Sequence, residues 1–261
     1  MNRYFRAEIA ENRQLNKDYN LLTFIPPGNS KEPEPGQFYM IGRCVGEVPC
    51  KNAYDPFLKR PFSIFRKTAW GYQILYRIRG MGTLTLKEAG KGAMLDVIGP
   101  LGNPYPISEN DRIPLIVAGG IGIASLFFLA ERLAGKPHIF YGARTEDEIF
   151  FISELRKYAK ELFISTDDGS MGEKGTIIEV LDNFLSRHSI TRHLIYACGP
   201  RQMLEAISQI AKNRGVTAYI SMEENMACGI GACLGCAVKT AGGYKRVCKE
   251  GPVFDVNEIV W

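Results

Sequence analysis

Short apolar or alternating runs, separated by turn residues, fill the first hundred positions. Residues 4–10, 19–25, 37–41 and 71–78 show the two-residue alternation or the brief apolar stretch of strands. Between them lie Pro26-Pro27-Gly28, Pro33-Glu34-Pro35-Gly36 and Gly80-Met81-Gly82, which interrupt strands by fixing or freeing φ. Only residues 84–89 read as a short helix. The pattern predicts a small antiparallel β-barrel or sandwich.

The pattern changes near residue 110. Continuous apolar strands are expected at 113–118, 138–141, 162–166, 193–197 and 217–221. Helical periods fall between them: from a glycine turn through residue 134, then 147–159, 177–186 and 201–213. Gly135 and Gly215 stand where the first and last of these should stop. Strand alternating with helix predicts a parallel sheet with helical crossovers. The last forty residues are rich in cysteine and glycine and have little helical period. The expected division is therefore a β-barrel over 1–108, an α/β domain over 109–218 and a small module over 219–261. There are no internal repeats and no low-complexity linker.

Composition narrows the class. The chain has 261 residues, 46% hydrophobic and 23% charged, which excludes collagen, a long coiled coil and wholesale disorder. The net charge of +4 is too small for a nucleic-acid groove. It is unevenly spread. Residues 1–108 hold 15 basic and 9 acidic side chains, 109–218 hold 13 and 14, and 219–261 hold 4 and 5. The first third would welcome a bound anion, although a solvated basic face has the same signature. The N-terminal Met1-Asn2-Arg3-Tyr4-Phe5-Arg6 has no apolar signal region. The uncharged run 113–130 is broken by Pro114, Gly119, Gly120 and Gly122, so no membrane span is expected. An odd count of seven cysteines fits a reducing, cytoplasmic setting.

Four cysteines are closely grouped. Cys228, Cys233, Cys236 and Cys248 have the spacing C-x4-C-x2-C-x11-C. Plant-type [2Fe–2S] sites use C-x4-C-x2-C with a more distant fourth cysteine, because a short loop must wrap a compact cluster and deliver three thiolates. Gly229, Gly231 and Gly235 let that loop take positive φ and turn amides toward sulfur. The alternative is a tetrahedral zinc site, which more often shows two paired C-x2-C knuckles. Cys44 and Cys50 read as ordinary thiols, and Cys198 as a buried small hydrophobe.

A second signal joins strand to helix. From Gly120 the sequence Gly120-Ile121-Gly122-Ile123-Ala124-Ser125, preceded by Gly119, is one glycine short of the dinucleotide fingerprint. Its glycines allow backbone to approach a pyrophosphate, or simply make a tight corner. Cys198-Gly199-Pro200 follows the fourth strand, also at the carboxyl edge where open parallel sheets bind ligands. In the barrel, Arg60-Pro61-Phe62-Ser63, Leu75-Tyr76-Arg77 and Gly82-Thr83 offer phosphate pairing, stacking and hydroxyl contacts. Arg144 could meet a 2′-phosphate, whereas Glu146 and Asp147 could accept from a ribose hydroxyl. His138, His188 and His193 read as structural or surface residues.

The order Arg-Pro-Phe-Ser, Gly-Gly-Ile-Gly, Cys-Gly-Pro resembles the ferredoxin–NADP reductase superfamily. The ending Met226-Ala227-Cys228-Gly229-Ile230-Gly231-Ala232-Cys233-Leu234-Gly235-Cys236 looks like that of the electron-transfer subunits of dihydroorotate dehydrogenase B. The resemblance spans essentially the whole chain. It implies FAD in the barrel on Arg60, Pro61, Phe62, Ser63, Leu75, Tyr76, Arg77, Gly82 and Thr83. It implies NAD along Gly119, Gly120, Gly122, Cys198, Gly199 and Pro200, and a [2Fe–2S] cluster on the four grouped cysteines. It further implies an FMN-containing catalytic partner that oxidises dihydroorotate, two of each subunit forming a heterotetramer, with electrons delivered to NAD⁺. Two features depart from the pattern: Phe62 stands where much of the superfamily has tyrosine, and the segment 44–59 is long. Related expectations are a reductase subunit of another flavin–iron–sulfur complex, such as a bifurcating ferredoxin reductase or a soluble hydrogenase, and a zinc-containing nucleotide-binding regulator.

Overall fold

A computed structural model describes residues 4–43, 58–107, 112–188 and 192–261. Cys44, Cys50 and most of the segment 44–59 lie outside the described residues.

The first unit contains β1 (Tyr4–Gln14), β2 (Tyr19–Ile25), β3 (Phe38–Arg43), β4 (Arg60–Ser63), β5 (Arg66–Lys67), β6 (Tyr72–Arg77), α1 (Met81–Lys87) and β7 (Met94–Leu101). The sheet order is β4-β3-β7-β1-β2-β6-β5, and every pairing is antiparallel. Its two edge strands are separated in the chain only by Ile64 and Phe65. The Phe65 N–H donates to the Gln73 carbonyl at 2.8 Å, so the sheet curls round on itself. Alternation decides what lies inside: Phe5, Ala7 and Ile9 of β1 join Phe24, Tyr39, Ile64 and Ile74 in the barrel core. The interior strand β7 had no clear signature because it contains Gly99-Pro100. A Cβ on Gly99 would come within 2.3 Å of the Tyr39 ring, so glycine lets β7 lie close to its neighbour.

The second unit contains β8 (Ile113–Gly119), α2 (Ile123–Arg132), β9 (His138–Ala143), α3 (Ile152–Tyr158), β10 (Glu161–Thr166), β11 (Glu173–Lys174), α4 (Ile177–Arg187), β12 (His193–Cys198), α5 (Arg201–Arg214) and β13 (Thr217–Ser221). β14 (Ala237–Thr240), β15 (Gly243–Arg246) and β16 (Val253–Asp255) follow. The second sheet has the order β11-β10-β9-β8-β12-β13-β16, parallel except for β16. Thr176 and Glu179 cap α4 reciprocally, and Gly215, at φ +68, ends α5. The helix expected over 147–159 divides into a 3₁₀ turn at Glu146–Glu148 and the shorter α3. Phe151, at φ +60, separates them, and its ring packs against both Phe65 and Phe127.

The expected division at 218/219 falls inside β13, and β16 adds a C-terminal strand to the parallel sheet. The barrel and the α/β unit share a core. Leu21, Phe65 and Leu75 pack with Ile123, Leu126 and Phe127, and the Phe65 and Phe127 rings lie 4.2 Å apart.

Candidate functional site

The order of the second sheet reverses between β8 and β12. Chains leaving these neighbouring strands diverge and open a crevice at their carboxyl ends. Gly119 and Cys198-Gly199-Pro200 meet there. A Cβ on Gly119 would stand 2.6 Å from Met203 Sδ, and one on Gly122 would stand 2.2 Å from the Cys198 carbonyl oxygen. A Cβ on Gly199 would meet Gly119 Cα at 3.0 Å. Three of the glycines therefore seat the two turns against each other. Gly120 differs: it takes φ +50 and its Cβ direction is nearly open. The tight corner and the approach to a ligand are thus divided among different glycines of one motif.

Behind the crevice lies a polar group that sequence reasoning missed. Cys198 is fully buried at the end of β12. Burial pushes its thiol up, and the Glu223 carboxylate adds to that, so it stays protonated. Tyr105 Oη lies 3.3 Å from Ser125 Oγ, which donates to Ser221 Oγ at 3.5 Å. Glu223 keeps contact with solvent, yet the surrounding protein raises its carboxyl pKa against the opposing charge of Arg79. Cys198 and Ser125 stood in motifs read from the sequence, but Tyr105, Ser221 and Glu223 did not, and nothing local tied them to that place.

On the barrel side, β6 presents two faces. Ile74 and Tyr76 enter the barrel core, while Leu75 joins the core shared with the second unit. Phe62 is buried too, its ring 5.8 Å from that of Tyr76, whose hydroxyl donates to Asn12 Oδ1 at 3.2 Å. Arg60, Pro61, Ser63, Arg77, Gly82 and Thr83 are half-buried and line the surface. Arg60 lies over the first turn of α1: a Cβ on Gly82 would meet its Nε at 3.0 Å. The Thr83 hydroxyl accepts from the Arg79 and Gly80 amides and so fixes that turn. Arg77 points across to Glu148 of the second unit, 3.8 Å away.

The cysteine loop lies against the barrel. Gly229 takes φ +69 beneath Met40, and Gly231 takes φ +84 beside Lys249. Gly235 does not take positive φ as expected; Leu234, exposed and at φ +61, does so in its place. The strain is located between two cysteines of the loop. Arg246 braces the loop, donating to the Gly231 carbonyl at 2.7 Å while paired with Glu250. Cys236 and Cys248 are buried, and the Cys248 N–H points to Cys236 Sγ at 3.5 Å. Burial and Cys236 together push the Cys248 thiol up to about 12. Cys228 behaves oppositely. Burial acts upward on it, but hydrogen bonds from the Cys233, Ile230 and Ala232 amides outweigh that and bring it down to about 6. The Ala232 N–H lies 3.3 Å from its sulfur. Among the described residues, no three His, Cys, Asp or Glu side chains form a ready site for a metal ion. The cysteines instead fall into two neighbouring pairs, Cys228 with Cys233 and Cys236 with Cys248. Two thiolates for each of two irons fit this donor set, and amides directed at sulfur fit it further.

Comparison with known proteins agrees with this geometry. Residues 116–209 match the oxidoreductase NAD-binding domain, and residues 223–260 match the iron–sulfur cluster binding domain of dihydroorotate dehydrogenase B. The structure of an NADH-dependent reduced ferredoxin–NADP oxidoreductase superposes with a TM-score of 0.82 at 27% identity, covering 98% of this chain and 90% of that one. The cytochrome b5 reductase domain of Ulva prolifera nitrate reductase shares the fold, with a TM-score of 0.64 at 18% identity over 81% of this chain and 93% of that one. Barrel, switched parallel sheet and cysteine module thus define an oxidoreductase subunit with the ferredoxin–NADP reductase fold. An electron transfer subunit of dihydroorotate dehydrogenase B (NAD(+)) from Caldanaerobacter subterraneus subsp. tengcongensis is 40% identical over 98% of both chains. One from Clostridium acetobutylicum is 39% identical over 88% of this chain and 87% of that one. The chain belongs to this family of dihydroorotate dehydrogenase B electron transfer subunits.

Proposed function

We propose that this subunit carries electrons from a catalytic partner that oxidises dihydroorotate to NAD⁺, and that it holds FAD, NAD and a [2Fe–2S] cluster at three adjoining places. The observation that carries the reading is the amide-lined loop of paired cysteines, joined in one fold to a glycine crevice. The partner contains FMN, two copies of each subunit form the complex, and the complex works in the cytoplasm. No helix among the described residues is long and apolar enough to cross a membrane.

When bound, the flavin exchanges one or two electrons and so matches a nicotinamide that moves two to a cluster that moves one. The chain's own residues bind and orient. Arg60, over the first turn of α1, pairs with the FAD pyrophosphate, and the Thr83 hydroxyl keeps that turn in shape. Pro61, Ser63, Arg77 and Gly82 would complete the flavin wall at the surface, and Phe62, Leu75 and Tyr76, whose side chains are buried, would contribute backbone to it. Gly119, Gly122 and Gly199 close the turns on each other, and Gly120 leaves room for a dinucleotide. Gly199 and Pro200 would border the bound dinucleotide, with the uncharged Cys198 thiol buried behind them and beside it the Glu223 carboxyl, whose pKa is raised. Cys228, Cys233, Cys236 and Cys248 ligate the cluster, and Arg246 steadies their loop.

An anaerobic visible spectrum of the purified chain, taken before and after NADH, tests the reading. Flavin and iron–sulfur bands that bleach with NADH are expected. A colourless protein containing zinc would overturn it. Dihydroorotate-dependent reduction of NAD⁺ by the chain with its FMN partner, and not with a ferredoxin-linked one, separates it from other reductase subunits of this architecture.

A further inference from the structure

Beside the open face of the first glycine turn stands a carboxylate outside every motif described above. Among the described residues, only Glu148 Oε2, at 3.7 Å, comes within 4 Å of the place where a Gly120 Cβ would stand. Glu148 closes the 3₁₀ turn after β9, and its side chain is 13% exposed, whereas Glu146 and Asp147 beside it face solvent. Its backbone is held: the Tyr141 hydroxyl donates to the Glu148 carbonyl at 3.0 Å. Its carboxylate is gripped from two units of the fold. Arg144 reaches it through Nη2 and through Nε, the latter at 3.4 Å. Arg77 of β6 comes from the barrel to 3.8 Å, its guanidinium over the Tyr19 ring. Two arginines and a glycine turn are what a phosphate group would seek, and here they converge on a resident acid.

Taking the NAD-binding reading as its basis, the geometry points to Glu148 as a built-in counter-ion of the dinucleotide site, one that ligand phosphates must displace from Arg144 and Arg77 and that turns the site against a 2′-phosphate by neutralising Arg144. The argument is one of charge. With Glu148 in place, the two arginines present a single net positive charge; without it they present two. A dinucleotide pyrophosphate is doubly negative, and a 2′-phosphate adds further charge at the end of β9 where Arg144 stands. The penalty from Glu148 grows with ligand charge, so it falls more heavily on NADPH than on NADH.

Dissociation constants of the cofactor-loaded full chain for NADH and NADPH, in the wild type, Glu148→Gln and the double variant Glu148→Gln, Arg144→Gln, test this. Glu148→Gln should tighten NADH about threefold and NADPH about tenfold, most strongly at low salt. The second substitution should remove the extra gain for NADPH. Should Glu148→Gln fail to fold, Glu148→Ala, which removes the same charge, reads the same change of ratio. A brace between the two units would behave otherwise, with both ligands weakened alike and the thermal midpoint lowered, and that result would overturn the inference. Equal tightening of the two ligands would also overturn it. If the wild type binds neither dinucleotide, the NAD-binding reading fails and takes this inference with it.

Discussion

Cys236 and Cys248 show how much a residue's role depends on what surrounds it. Both are almost fully buried, where a thiolate without a cation is unfavourable. Cys236→Ser should therefore abolish iron–sulfur absorbance and lower bound iron while leaving flavin absorbance in place; retention of the full iron content would show that the cysteine assignment is wrong. Cys198 is the contrasting case, a buried thiol outside the loop. On the proposed reading, Cys198→Ala should preserve flavin and iron yet slow flavin reduction by NADH about tenfold, because the turn that would seat the dinucleotide loses the group packed behind it. Stopped-flow reduction kinetics would check this, and an unchanged rate would remove Cys198 from the site. The four grouped cysteines were legible from spacing alone. Glu148, Ser221 and Glu223 were not, because nothing in their local sequence distinguishes them from ordinary polar residues.

The glycine turn between β8 and α2 carries two functions with different costs. Gly122→Ala would push a Cβ to 2.2 Å from the Cys198 carbonyl oxygen, so the β8 and β12 turns would have to separate. We expect it to cost about 1–3 kcal/mol in denaturant-unfolding free energy. Gly120→Ala meets no wall but must hold φ +50, a strain of about 1 kcal/mol, and should mainly weaken NADH binding. Equal destabilisation by the two would contradict the division of roles. At the opposite edge of the same sheet, His138 lies against Phe184, with ring centroids 5.0 Å apart, and 2.9 Å from the Glu161 carboxylate. Burial lowers its pKa below the ordinary 6.5, and Glu161 opposes this only in part. The unfolded chain thus takes up the proton first as pH falls. Stability from this source is complete above about pH 6.5 and declines below it, down to the folded pKa. His138→Phe should flatten the slope of unfolding free energy between pH 5 and 7; an unaltered slope would assign the dependence elsewhere. Helix caps and strand periods made most of these elements readable in advance. β4, β5, β7, β11 and the three C-terminal strands β14–β16 were not readable: β7 is hidden by Gly99-Pro100, and the others run only two to four residues.

Across the whole molecule, the barrel and the parallel sheet are joined by one stretch of core rather than by a linker. Phe65 of the barrel packs on Phe127 and Phe151 of the second unit, and Arg66 lies over the Phe127 ring at 4.8 Å. Phe65→Ala should cost about 3–5 kcal/mol and split thermal unfolding into two transitions, because it empties the seam between two units that each retain a sheet. A single transition at an unchanged midpoint would show that the seam contributes little. The sequence by itself determined the antiparallel and parallel sheets, the helical crossovers and the grouping of four cysteines, since period, turn chemistry and spacing are local properties. It did not determine which face of β6 meets the second unit, that Arg77 would reach Glu148, or that the turns after β8 and β12 would close on each other. Those depend on strand order, register and the packing of one sheet's elements on another, which bring together residues far apart in the chain. Only the tertiary structure decided them.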